Sequence, residues 1–270
     1  VTNLFESKKK KENKIFKNNF KLNIDLNEIY IDEINFVKNL QGLIFIKDNE
    51  VVDTNLSANF ENNKNIVFSI ETKNNGEKIT KLYSSKAKPL VKRYKFIKGF
   101  DEGNLDFISI KKNEKSVSNL KIYDFKLKEV PALTKLLTLA SLQGIADILT
   151  GEGIRFDEFE MKFNNQKNLM TIDELYAIGP AISILMNGYV EEEKLVSLRG
   201  TLVPATTINK TISKIPLLGK ILVGDKTGEG VFGVSFKIKG PPKKLETTVN
   251  PIKTLTPRFI TRTLENIKKN

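Results

Sequence analysis

The side chains available for chemistry are carboxylates, lysines, tyrosines and hydroxyls, because the 270 residues include no His and no Cys. That removes imidazole and thiolate metal ligands, Cys or His nucleophile–base pairs and any Ser-His-Asp relay. Asp157 and Glu158 are adjacent in an alternating stretch, so they point to opposite faces of a strand and cannot share a substrate. Glu191-Glu192-Glu193 reads as a solvated hairpin tip. The Gly-Glu-Gly triplets at 151–153 and 228–230 precede strand-like runs. A phosphate loop needs Gly-Lys-Ser/Thr entering a helix, so both triplets read as tight turns. These residues point away from an enzyme, and no catalytic residue, metal site or cofactor site is expected.

The net charge is +12, with 25 basic and 18 acidic residues up to 130 and 19 and 14 beyond, so no basic arm stands out. Only five of the 44 basic residues are Arg, the side chain best suited to bidentate phosphate and base contacts. Heavy joint use of Lys, Asn and Ile fits an AT-rich genome, and nucleic acid is not an expected partner. Lys8 to Lys11 have no apolar run behind them, so the start of the chain is not a secretory signal as it stands. No segment reaches 18 consecutive apolar residues.

Most of the chain alternates with period two. Phe20/Leu22/Ile24/Leu26, Leu56/Ala58/Phe60 and Ile66/Phe68/Ile70 each share a strand face, and residues 104–112 and 120–127 continue the pattern. Polar runs such as "KDNE", "KNNGEK" and "KKNEK" separate them, and such short connections favour antiparallel hairpins. The expectation is a mainly β fold.

Two segments break the rhythm. The first, near 132–149, starts at Pro131 and stops at Gly151, as helices do. Its apolar positions include Leu136, Leu137, Leu139, Ile145 and Ile148. As one helix it would be about 27 Å long at 1.5 Å per residue. Lys135 and Asp147 would each cost roughly 2.5–3.5 kcal/mol at mid-membrane, so it is expected to be buried in protein. The second, near 205–222, carries Ile212, Ile215, Leu218 and Ile221. Both are expected to be short helices near the C-terminal end, closing the open end of the channel considered below or dipping into a membrane or partner there.

Further strands follow, with apolar faces formed by Phe159/Met161/Phe163, Ile182/Ile184/Met186 and Phe232/Val234/Phe236/Ile238. Two arrangements fit these faces. One is a sandwich core, sheet packed on sheet. The other is a single curved sheet whose inner face remains an open apolar channel. Periodicity is the same in both.

Four stretches narrow the choice: "LLTLASLQGIADILTGEGIRFDEFEMKF", "AIGPAISILMNGYV", "LRGTLVPATTINKTISKIPLLGKILVG" and "GEGVFGVSFKIKGPPKKLETTVNP". In this order they resemble the C-terminal domain of the AsmA-like family of Gram-negative envelope proteins, over residues 131–258. The match before residue 100 rests on strand rhythm alone. The resemblance implies a curved antiparallel sheet forming a U-shaped apolar trough. Residues 1–130 would be a repetitive β segment at the end of a longer trough, and 131–270 the AsmA-like C-terminal domain. It further implies a non-enzymatic role in intermembrane phospholipid transport and outer-membrane biogenesis and integrity. Acyl chains would lie in the groove. The setting would be the periplasm, with an inner-membrane anchor upstream of Val1 and a partner protein in the inner or outer membrane. The other reading is a structural or assembly factor for outer-membrane proteins with a filled β core.

Overall fold

The computed structural model describes residues 19–62, 64–93, 99–128, 130–140, 142–204, 233–242 and 244–252. Thirteen strands form one antiparallel sheet in which each strand pairs only with its sequence neighbours. They are β1 (Phe20–Tyr30), β2 (Phe36–Lys47), β3 (Glu50–Asn59), β4 (Asn65–Thr72), β5 (Lys78–Ser84), β6 (Gly99–Lys112) and β7 (Lys115–Lys128). Then come β8 (Ile154–Gln166), β9 (Leu169–Ile178), β10 (Ile182–Glu191), β11 (Leu195–Pro204), β12 (Gly233–Gly240) and β13 (Glu246–Ile252). The sheet is not closed into a barrel. It runs unbroken across residue 130, because β7 pairs with β8 from Lys115↔Gln166 to Leu127↔Ile154.

The up-and-down order gives the sheet two unlike rims. Tight turns join β2 to β3, β4 to β5, β6 to β7, β8 to β9 and β10 to β11 at one rim, here the hairpin rim. The β2–β3 turn is a two-residue one, with Asp48 and Asn49 at φ 51 and 67, the geometry whose twist matches that of paired strands. The described helices α1 (Lys88–Arg93), α2 (Pro131–Leu139) and α3 (Gln143–Thr150) all lie in connections at the opposite rim. Neither α1 nor the strands β5 and β9 stood out in the sequence.

The expected single helix near 132–149 is two helices. In a straight helix Leu137 and Leu149 would point about 120° apart at 100° per residue. The break after Leu139 lets both be fully buried, each at 0% exposure. Leu136 and Ala146 join them in the same cluster, while Leu139 and Ile148 face solvent. The expected second helix near 205–222 lies outside the described residues, and with it Ile212, Ile215, Leu218 and Ile221.

Helix α2 touches β13, and α3 touches β7 and β8. In a flat sheet β7 and β13 would lie about 29 Å apart at ~4.8 Å per strand. Helices of nine and eight residues, roughly 12–14 Å long, cannot span that distance side by side. The C-terminal half of the sheet therefore curls around the helix pair, and the face it wraps inward is the apolar one.

Candidate functional site: an apolar trough

The strand registers align the inner-facing residues into rows that cross the sheet. One row runs through the middle of all thirteen strands. It starts Ile24–Gly42–Leu56–Phe68–Leu82–Phe107–Leu120, each directly opposite the next. It continues Met161–Leu175–Met186–Gly200–Phe236–Val249. Every member is apolar or glycine. At ~4.8 Å per strand the row measures about 58 Å along the sheet. Except for Phe236, which is buried, each member is only half-buried.

The neighbouring row towards the helices behaves differently. Ser84, Leu105, Ile122, Ala177, Leu202 and Val234 are buried, with Phe159 and Ile184 half-buried between them. This row and the helices form the main core cluster. The trough is thus sealed along one wall beneath α2 and α3 and partly open along its floor. Towards the hairpin rim a second cluster of Phe163, Met170, Ile172, Val190 and Val196 lines the face over β8–β11.

The candidate groove residues fall on this face as follows. Met161, Met186 and Phe236 belong to the central row. Phe159, Ile182, Ile184 and Val234 face the helices, and Phe163 and Ile238 lie towards the hairpin rim. Phe232 lies outside the described residues.

Several core residues escape a strict period-two reading. In β7, Leu120 and Ile122 face inward, yet so does Phe125, because Asp124 adopts φ 53 and reverses the alternation. Glu102 and Gly103, at φ 60 and 80, do the same in β6, between buried Phe100 and buried Leu105. In β8 the switch falls between Phe156 and Phe159. These reversals stack Phe100 on Phe125 at 5.3 Å and Phe125 on Phe156 at 5.4 Å, with Phe159 edge-on at 6.4 Å from Phe125. Asp tolerates the left-handed conformation better than most residues, and Gly103 adopts it freely, which are the sequence hints.

The line of reversals gathers acidic groups on the outside. Glu102 pairs with Arg155 at 3.1 Å. Loss of water around its carboxyl, and then the nearby Asp124 charge, push Asp157 above its ordinary value, with Arg155 opposing. A raised folded value favours the protonated form. That contribution to stability is present below the ordinary 3.8 and is lost as pH rises through the folded value. Asp157→Asn is therefore expected to melt slightly higher than the parent at pH 7, with the difference vanishing below pH 3.8. Paired thermal melts across that range check the sign.

The outer face also holds buried carboxylates: Glu158, which the switch in β8 puts on the same side as Asp157 rather than opposite it as expected, and Glu160 and Glu174, which sequence reasoning missed. Glu158, Glu160 and Glu174 are 5–7% exposed. Glu160 accepts a hydrogen bond from Asn119 Nδ2 at 3.1 Å and lies 3.8 and 3.6 Å from the ammonium groups of Lys121 and Lys162. This is an ion network between neighbouring strands. Among the described residues no three His, Cys, Asp or Glu side chains converge as a metal site.

Two surface depressions lie elsewhere. One of about 700 Å³ sits between Glu77, Lys112 and Gln166, and one of about 550 Å³ among Asn187, Tyr189, Arg199 and Lys237. Both are rimmed by charged side chains, which makes them poor hosts for an acyl chain. No described helix is long and apolar enough to cross a membrane. The chain matches no protein-family model, no curated protein and no solved structure.

Proposed function

We propose that this chain is a non-enzymatic envelope protein that carries phospholipid acyl chains along its apolar trough. It works in the periplasm, between an inner- or outer-membrane partner and its lipid source, and serves outer-membrane biogenesis and integrity. The observation that carries this reading is the uninterrupted central row, apolar in every strand and half-exposed over almost its whole length. A buried CH2 gains about 0.8 kcal/mol, and the gain has no direction, so a chain could slide from strand to strand without meeting a polar step. The resemblance of residues 131–258 to AsmA-like proteins supports the same role.

A second reading has its own observation. Beneath α2 and α3 the face is dry, with Leu137, Leu149, Ile182 and Leu202 all at 0% exposure. A filled core of that kind would suit a structural or assembly factor for outer-membrane proteins. The two readings divide on bound lipid. Native mass spectrometry after gentle extraction is expected to show phospholipid travelling with the protein. A lipid-free spectrum, together with no uptake of a fluorescent phospholipid from vesicles, would favour the filled core.

A further inference from the structure

The inner face is not equally apolar on both sides of its central row. Towards the hairpin rim, the next row over β3–β7 reads Thr54–Ile70–Thr80–Ser109–Ser118. One step nearer the rim, Thr72–Lys78–Lys111–Ser116 follow in direct register. On the opposite side of the same strands stand Ile66, Leu105 and Ile122. The hydroxyl there, Ser84, is spent on the Lys86 carbonyl at 2.7 Å.

Lys78 and Lys111 lie directly opposite each other, an arrangement that destabilises a sheet unless an anion sits nearby. Glu50 supplies one negative charge, 2.9 Å from Lys78 Nζ. Lys111 is exposed, and one row inward Ser109 accepts a hydrogen bond from Ser118 Oγ at 2.9 Å, which leaves the Ser109 O–H available to an acceptor. The two ammonium groups, one positive charge in excess of Glu50, and a hydroxyl donor, beside an apolar floor, match a phosphate ester attached to an acyl chain.

We propose that the phosphate head group of the bound lipid sits at the hairpin rim of β5 and β6, against Lys78, Lys111 and Ser109, while its chains lie inward on the central row. The proposal rests on the acyl-chain reading above and adds to it which rim the head group occupies. Over β3–β7 lipids would then lie in one orientation, head groups on the hairpin side and tails on the central row.

The test measures binding of three probes to the full chain at low salt: palmitoyl lysophosphatidate, monopalmitoylglycerol and glycerol 3-phosphate. The expected result is that lysophosphatidate binds at least about tenfold tighter than monopalmitoylglycerol. In the Lys78→Gln/Lys111→Gln variant that gap should shrink to within about twofold, with monopalmitoylglycerol binding unchanged. A thermal melt of the variant checks that it remains folded, and Ser109→Ala offers a smaller reduction without touching charge. A gap that persists in the double variant, or no gap in the parent, overturns the head-group site but leaves the acyl trough standing. Glycerol 3-phosphate binding as tightly as lysophosphatidate would assign the site to free phosphate esters instead. Failure of both acyl probes to bind overturns the trough and the head-group site together.

Discussion

Phe236→Glu is expected to abolish cooperative folding, whereas Met186→Glu leaves a folded protein that no longer carries lipid. Both side chains belong to the central row, and both lie directly opposite Gly200 from either side. Their surroundings differ. Phe236 is 4% exposed, and its ring covers Gly200 so closely that a Cβ built there would lie 2.6 Å from Phe236 Cζ. A carboxylate at 236 would be buried with no cation designed to meet it. That costs several kcal/mol, against about 5–15 kcal/mol for the stability of a whole domain. Met186 is half-buried, so a Glu there can keep its carboxylate hydrated while placing a charge in the path of a sliding chain. Circular dichroism melts paired with phospholipid transfer between vesicles measure the two effects. Unfolding of Met186→Glu would mean that the floor is sealed at that point and would support the filled-core reading. Normal transfer by a folded Met186→Glu would show that the lipid, if carried, does not use this row.

Gly188→Ala is expected to lower the melting temperature well beyond what Gly76→Ala does. Both glycines have positive φ, +147 and +79. At Gly76 an added Cβ meets nothing within 4 Å, so the cost is the left-handed conformation alone, about 1–2 kcal/mol. At Gly188 it would sit 2.1 Å from the Ser197 carbonyl oxygen and 2.9 Å from Leu198 Cα. Those atoms belong to the backbone of the paired strand and cannot swing aside. Gly188 also marks the register shift between β9 and β10 after Met186. Conformational strain of about 1–3 kcal/mol and the clash act together, and at about 2–4 °C per kcal/mol a drop on the order of 5–10 °C follows. Gly42, at φ +147 with its Cβ position 1.9 Å from the Asn55 carbonyl oxygen, should respond like Gly188. Equal melting temperatures for Gly188→Ala and Gly76→Ala would show that β11 yields at this contact and that the trough floor is softer than its geometry implies.

Much of the architecture was open to inspection in the chain itself. Alternation placed Phe68 with Ile70, and Phe159 with Met161 and Phe163, on shared strand faces. The polar runs marked where the chain turns, and their shortness called for antiparallel pairing. The absence of His and Cys excluded whole classes of chemistry before any fold was known. These features are local: period two follows from the pleat of a single strand, and a turn is specified by a handful of adjacent residues.

What only the tertiary structure decided is how those faces meet. Alternation tells which residues of one strand share a side, but not which residue of the next strand each will stand beside. Ile24 and Val249 lie at opposite ends of one apolar row because twelve successive registers, bulges included, keep it aligned, and register is a property of pairs. The reversals at Glu102–Gly103 and Asp124 moved Phe100 and Phe125 to the inner face against the local pattern, and β9 stayed hidden because its inward residues change from Met170 and Ile172 to Leu175 and Ala177. The helix near 132–149 broke in two because Leu137 and Leu149 must both reach a sheet that curls around them. Burial is set by distant parts of the chain arriving at one place, so a half-exposed floor beside a sealed wall becomes visible only once the sheet has bent.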